Sequence, residues 1–364
     1  MCESIFVVPL QKALPVPNQN QVLIARVAWR NPFHLRRLPL IAQIYRDGFY
    51  FEDPTRLKNL YRLGLRKLFG VMHARGWAGE GVFDLETNGR SLPIRFSGLN
   101  TQFQSLYMRQ VPNGTEPQIA ALMDLLIADD GVFYDVGSNW GYYTLYVGSR
   151  PGFKGSIHAF EPMPTTFADL ASCVKQAGLD GIATCHNLGV SSSGGSASMA
   201  IPDGVHSGTA SLLGQPSASG TPVKLAALDE MGLPDPTFIK LDVENHETEA
   251  LGGASAILGR AKPMIVFENW LQPDQPFKSL EPLRMLLAQG YRLFLPGWWI
   301  SAGGGRLVTP GSDTPAAELN QIALIPLDLA QRYALSERQD FFACHEDRFP
   351  NLLAKFAPVD ITSG

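Results

Sequence analysis

Gly131-Val132-Phe133-Tyr134-Asp135-Val136-Gly137-Ser138-Asn139-Trp140-Gly141-Tyr142-Tyr143 sets an apolar strand, an acid at its end, a glycine turn and a helix in immediate succession. In doubly wound α/β folds a ligand sits outside the carboxyl end of such a strand, where glycine lets the backbone approach it closely. Outward from this loop, from about Phe133 to Ile325, short apolar runs alternate with amphipathic stretches, the pattern of a mostly parallel sheet covered by helices. The spacing predicts strands over 132–136, 156–160, 182–190, 237–242, 264–268, 291–295 and 321–325. It predicts crossover helices over 140–148, 164–177, 247–258 and 280–289. The Gly-, Ser- and Ala-rich stretch 191–222 breaks the alternation and reads as an irregular or hairpin insertion.

The chain's 364 residues, 45% of them hydrophobic and 18% charged, suffice for one full core and a second small unit. A formal net charge of -4 gives no global reason to expect nucleic acid as a partner. Cys2, Cys173, Cys185 and Cys344 form no CxxC pair and no zinc-ligand spacing, so they read as reduced thiols. Residues 1–8 carry an acid and no basic segment before their short apolar run, and no stretch is long enough to span a membrane; the expectation is a cytoplasmic protein.

Three segments are expected: an N-terminal annex over 1–112, the main domain over 113–330 and a C-terminal tail over 331–364. The annex lacks the βα rhythm and holds a hairpin between Phe83 and Phe96, with Asn88-Gly89 at its turn. Its residues 26–75 carry eleven Lys/Arg against three acids, with Leu57, Leu60, Tyr61, Leu68, Phe69 and Met72 at helical spacing. One reading is a helix that docks its apolar face on the main domain and leaves a solvated basic face. The other is a basic amphipathic helix for peripheral contact with a membrane surface or an anionic glycolipid.

The ligand of the glycine loop is argued from charge. A dinucleotide needs three glycines in GxGxxG spacing and room for an anionic pyrophosphate at the helix start. The loop instead reads Asp-x-Gly-x-Asn-x-Gly, and Asp135 would repel phosphate. S-adenosylmethionine has no phosphate; its ammonium and sulfonium suit an acid, and its carboxylate suits the free N–H groups of the helix start. At the next strand end, Phe160-Glu161-Pro162 supplies an acid for ribose hydroxyls, which nucleotide and adenosyl ligands share.

From Gly114 to Trp270 the sequence resembles the FkbM-type S-adenosylmethionine-dependent methyltransferases of the class I methyltransferase fold. The resemblance runs through Tyr134-Asp135-Val136-Gly137-Ser138-Asn139-Trp140-Gly141, Ala159-Phe160-Glu161-Pro162 and Asn187-Leu188-Gly189-Val190. It continues through Phe238-Ile239-Lys240-Leu241-Asp242-Val243-Glu244, Glu247, Leu251-Gly252 and Val266-Phe267-Glu268. It implies an α/β fold: a doubly wound, mostly parallel, seven-stranded Rossmann-like sheet whose last strand is antiparallel, here with an N-terminal annex. It also implies O-methylation of a sugar, glycan or secondary metabolite, so that the partner is a small-molecule or glycan hydroxyl acceptor. The cofactor set it implies is Asp135, Gly137, Ser138, Asn139 and Gly141, then Glu161 and Pro162, then Asn187, Gly189 and Asp242. The family pattern has Gly after Asp-x-Glu, where this chain has Asn245-His246.

Methyl transfer depends chiefly on alignment, with help from a group that takes the hydroxyl proton. Asp242, Glu244, His246 and Glu268, at the ends of the fourth and fifth strands, are the candidates. Asp242 ranks first as base or substrate orienter, and a helix cap explains it equally well. Glu244 reads as a second orienter or cap, and His246 as a base or a solvent-facing first-turn residue. Glu268-Asn269-Trp270 suits a polyol. Asp242 and Glu268 could share a magnesium ion, but two acids are too few, and no metal is expected. Trp298 and Trp299 either wall an acceptor or close the core. Two other functions stay open: a nucleotide-dependent oxidoreductase or epimerase acting on sugars, which would want a Tyr-x-x-x-Lys pair that the sequence lacks, and a non-catalytic adenosyl-binding module.

Overall fold

The computed structural model describes residues 21–49, 56–108, 116–200, 211–213, 220–272, 274–300, 306–308 and 319–360. The N-terminal part contains β1 (Gln21–Arg26), β2 (Phe33–Arg37), α1 (Leu40–Phe49), α2 (Arg56–Ala74), β3 (Glu80–Thr87), β4 (Arg90–Ser97) and α3 (Pro117–Leu126). The βα units follow: β5 (Val132–Val136), α4 (Tyr142–Gly148), β6 (Ser156–Phe160), α5 (Pro164–Gln176) and β7 (Ala183–His186). Next come β8 (Gly189–Val190), β9 (Gly195–Ala200), β10 (Ser211–Leu213) and β11 (Thr221–Ala226). They lead to β12 (Phe238–Leu241), α6 (Glu247–Gly252), α7 (Ser255–Ala261), β13 (Met264–Trp270), α8 (Pro276–Ser279) and α9 (Glu281–Ala288). The last elements are β14 (Tyr291–Ile300), β15 (Arg306–Val308), β16 (Gln321–Pro326), β17 (Arg338–His345), α10 (Phe349–Leu353) and β18 (Ala357–Asp360).

The main sheet runs β18-β1-β16-β14-β17-β13-β12-β5-β6-β7, with β15 attached to β14. The five strands β7, β6, β5, β12 and β13 pair in parallel. β17 runs antiparallel between β13 and β14, so β14 points the same way as the parallel set. Alternate residues of each strand enter two different cores: Phe133, Phe238 and Phe342 join one, and Tyr134, Ile239 and Phe341 the other. A strand buried on both faces needs a continuous apolar run, which is why these segments lack period-two alternation.

Among the described residues the sheet therefore has eleven strands where seven were expected, and the last of the buried set is not the one the sequence pointed to. Residues 321–325 do form β16, but on the far side of β14, while β17 comes from the expected tail and sits in the middle of the sheet. Phe341, Phe342, Ala343 and Cys344 are all buried there. The expected annex reaches the same sheet, since β1 pairs with β16 and β18. The expected strand 182–190 splits into β7 and β8, and β8 joins β9, β10 and β11 in a separate four-stranded sheet that takes in the described part of the insertion, whose residues 201–210 and 214–219 lie outside the described residues.

The predicted hairpin is β3–β4, with Thr87 opposite Arg90. Asn88 and Gly89 both have positive φ, 47° and 72°, as a two-residue turn of matching twist requires. β2 completes this three-stranded sheet, and Phe33, Phe83 and Phe103 close around Trp140, which is 2% exposed. Trp140 thus anchors the N-terminal sheet to the glycine loop. No helix among the described residues is long and apolar enough to cross a membrane.

Candidate cofactor and acceptor site

The loop after β5 is held by backbone and by glycine. The N–H groups of Gly137 and Ser138 both donate to the Phe160 carbonyl, at 3.0 and 2.9 Å. Gly137 has φ 79°, and a Cβ there would lie 1.7 Å from the Asp242 carbonyl oxygen. No other residue fits where β5 and β12 leave the sheet side by side. Gly141, at φ 95°, opens α4. The Ser138 hydroxyl donates to the Asp135 carbonyl at 2.6 Å, and the Asn139 amide donates to Gln102 at 3.1 Å.

Asp135 is fully buried, and Thr144 donates to its Oδ2 at 2.6 Å. Its Oδ1 has no partner among the described residues. Burial pushes this carboxyl above the usual range, against the pull of the Lys240 ammonium and the Thr144 hydrogen bonds. Glu161 accepts the N–H of Asn139 at 3.0 Å on one oxygen and that of Met163 at 2.8 Å on the other. Burial raises it to about 7 in spite of those two donors. The Asn187 amide donates to the Glu161 and Pro162 carbonyls at 2.9 and 3.1 Å, so Asn187 fixes the turn that carries Glu161. A Cβ on Gly189 would lie 3.0 Å from Leu225 and 3.5 Å from Pro162. The residues fit an adenosylmethionine: a buried, unsatisfied carboxylate oxygen suits an ammonium, and a rigid second acid keeps a free lone pair on each oxygen for ribose.

Beside this loop stands a second group of charges. Asp135 and Lys240 are register partners on β5 and β12, and Glu268 and Asp340 on β13 and β17. Lys240, 6% exposed, donates to Asp242 at 2.7 Å and lies 5.1 Å from the centre of the Tyr143 ring. Burial alone would lower the Lys240 ammonium, but the Asp242, Asp135 and Glu116 carboxylates hold it above its usual value. Asp242, 26% exposed, is kept low by Lys240 in spite of desolvation.

Carboxylate oxygens of Asp242, Glu244 and Glu268 come within 4.8 Å of one another, as do those of Glu116, Glu268 and Asp340. Arg338 bridges the second trio through ion pairs with Glu268 and, at 3.4 Å, Glu116. The Trp270 indole donates to Glu268 at 2.6 Å, and the Tyr143 hydroxyl to Glu116 at 2.7 Å. Burial first, and the Asp242 charge second, raise Glu244 to about 8 and Glu268 to about 7. Burial, with Glu116 and Glu268 nearby, also raises Asp340.

The structure thus brings Asp242, Glu244 and Glu268 together, and the two acids weighed as magnesium ligands become three. His246 is placed otherwise: its ring nitrogens meet the Ser191 hydroxyl at 3.0 Å and Glu249 at 3.4 Å, and it directly precedes α6, which starts at Glu247 as expected. Asn269 is buried, donating to the Ser279 carbonyl and accepting from Arg332, so it ties parts of the fold together. Trp298 is fully buried and closes the core. Lys240, Tyr143, Glu116, Arg338 and Asp340 were not read from the sequence as site residues. For Lys240 a signal existed, a lone cation inside the apolar strand Phe238-Ile239-Lys240-Leu241. Arg338 and Asp340 lay in the expected tail.

Residues 134–293 match the family described as the methyltransferase FkbM domain. A hexuronic acid methyltransferase of Haloferax volcanii, AglP, is 32% identical over 139 residues, which cover 38% of this chain. The match spans 56% of that relative's own length. Among solved structures, a methyltransferase FkbM from Methylobacillus flagellatus shares 16% identity with a TM-score of 0.35, covering 54% of this chain and 44% of the other. An S-adenosylmethionine-dependent O-methyltransferase of Thermotoga maritima shares 12% with a TM-score of 0.34, covering 90% and 93%.

Proposed function

We propose that this chain, whose residues 134–293 are a methyltransferase FkbM domain, transfers a methyl group from S-adenosylmethionine to a hydroxyl of a sugar or glycan. The observation that carries the reading is the buried Oδ1 of Asp135, left without a donor at the end of β5. A buried acceptor without a partner costs about 1–3 kcal/mol, so a ligand that brings an ammonium or a bound water recovers that cost. Asp135, Gly137, Ser138, Asn139 and Gly141 would hold the methionine end, and Glu161, with Pro162, Asn187 and Gly189 behind it, the ribose. Bound there, S-adenosylmethionine supplies a methyl carbon on a cationic sulfur.

The chain's own contribution is to orient the acceptor oxygen and to take its proton. As the new carbon–oxygen bond forms, the hydroxyl must release a proton to a nearby base. Asp242, held ionised by Lys240, is the better orienter because a depressed carboxylate binds protons weakly. Glu244 and Glu268, raised to about 8 and about 7, are matched to accept a proton near neutrality. Lys240 and Arg338 already balance part of the negative charge, which favours a reaction without a metal ion. A sugar acceptor is supported by the relative from Haloferax, which is named for hexuronic acid. The oxidoreductase reading would place a pyrophosphate beside Asp135, whose carboxylate opposes it, while Glu161 suits the ribose of either ligand.

Calorimetric titration with S-adenosylhomocysteine and, separately, with NAD tests the cofactor. Binding of the first alone, followed by transfer of labelled methyl groups to one of a panel of hydroxylated sugars and uronates, is the expected result. NAD binding would restore the oxidoreductase. Adenosyl binding without transfer to any acceptor would favour the binding module.

A further inference from the structure

Helix α2 does not carry its apolar residues on one face, as either sequence reading expected. Phe69 and Met72 are buried, and Phe69 packs 5.1 Å from Tyr45 and 5.9 Å from Phe49, ring centre to ring centre. Other apolar residues of the helix are exposed: Leu60 by 70%, Tyr61 by 60%, Leu68 and Val71 by 44% each. Leu60, Lys67, Leu68 and Val71, at i, i+7, i+8 and i+11, fall on one stripe. Leu63 and, beyond the helix, Trp77 are exposed as well. An uncovered apolar stripe of this length is uncommon on a folded surface and marks an interaction site.

The charge around the stripe identifies what it meets. Residues 56–75 include Arg62, Arg66, Lys67 and Arg75 and not one Asp or Glu. Arg62 and Arg66 turn to the Gly48 and Phe49 carbonyls at the end of α1, which ties α2 to the fold. Lys67 has no ion pair with a described residue, and Arg75 lies over the Trp77 ring at 5.7 Å. We propose that this face of α2 lies on an anionic lipid bilayer, with Leu60, Leu68 and Val71 entering the headgroup boundary and Lys67 and Arg75 meeting lipid phosphates. A convex stripe suits a deformable surface. Tyr and Trp at its margins are the side chains that favour such a boundary. A second copy of the chain fits worse, because pairing the same face would set cations against cations.

The test is sedimentation of the full chain with phosphatidylcholine vesicles and with vesicles that also contain phosphatidylglycerol, at low and high salt. The wild type should bind the second kind, and less well at high salt. Lys67→Glu with Arg75→Glu, and separately Leu60→Ser with Leu68→Ser, should each weaken binding about tenfold or more. All four positions are on the surface, and unchanged circular dichroism would show that the variants fold. No binding by the wild type, or equal binding by the variants, overturns the proposal. So does self-association that the leucine variant abolishes, which would assign the face to a second copy of the chain.

Discussion

Asp135 and Lys240 are buried register partners on β5 and β12, and each shifts the other's state. Lys240 answers Asp242 directly and Asp135 at longer range, while Oδ1 of Asp135 stays without a donor. Replacing Asp135 by Asn keeps its shape and removes its charge. Asp135→Asn should therefore weaken S-adenosylhomocysteine binding by about 1.5–3 kcal/mol, the worth of a hydrogen bond to a charged group, read by calorimetry. Unchanged affinity would remove Asp135 from the cofactor site. Lys240→Met leaves two carboxylates without their cation and should destabilise the protein by about 3 kcal/mol in denaturant unfolding. Adding Asp242→Asn to it should restore part of that loss, since the cost lies in the unpaired charge. If the second change only adds to the first, the pair is not the unit of stability.

At the scale of elements, the link between β12 and α6 shows how far a sequence can be read. Glu244 and Asn245 both adopt left-handed backbone, at φ 51° and 70°, before α6 begins at Glu247. The family pattern has Gly at the second position. Asn is the side chain that tolerates this region best after Gly, so the departure keeps the conformation that places Glu244 beside Asp242. Asn245→Gly should change stability by less than about 0.5 kcal/mol, and Asn245→Val should cost about 1–2 kcal/mol because a branched Cβ meets the carbonyl. Equal effects in chemical denaturation would show that backbone strain does not govern the turn. The glycine loop, Glu161 and the β3–β4 hairpin were legible because local rules fix them: a strand end, a βα spacing, an Asn-Gly turn. β17 was not, since Phe341-Phe342-Ala343-Cys344 is a short apolar run whose place in the sheet depends on partners far away in sequence. With β17 went Arg338, the ion-pair partner of Glu268, and Asp340, its register neighbour. Trp140 gave no local signal of its role, since its indole packs with Phe83 and Phe103, far from it in sequence.

For the whole molecule, the crowded carboxylates mean that folding itself takes up protons. Glu161, Glu244, Glu247 and Glu268 are each raised from 4.5 to about 7 or 8, with burial as the first cause. The folded state then binds more protons than the unfolded chain between those limits, and stability falls as pH rises. A group of this kind contributes fully below 4.5 and loses its contribution as pH passes its folded value. Asp242 works the other way, because its depressed value adds stability that is lost only in acid. His158, His186, His246 and His345, lowered by burial, also oppose the raised groups below 6.5, so the fall is clearest between 6.5 and about 8, where each raised group contributes a slope of at most about 1.4 kcal/mol per pH unit. The thermal midpoint of the ligand-free protein should fall steadily across this window, and Glu244→Gln should make the fall shallower by removing one group that releases a proton. A midpoint that rises with pH would mean that these carboxylates are ionised in the folded state. The cluster would then need more positive charge than Lys240 and Arg338 provide, and a divalent cation among Asp242, Glu244 and Glu268 would become the simplest source of it.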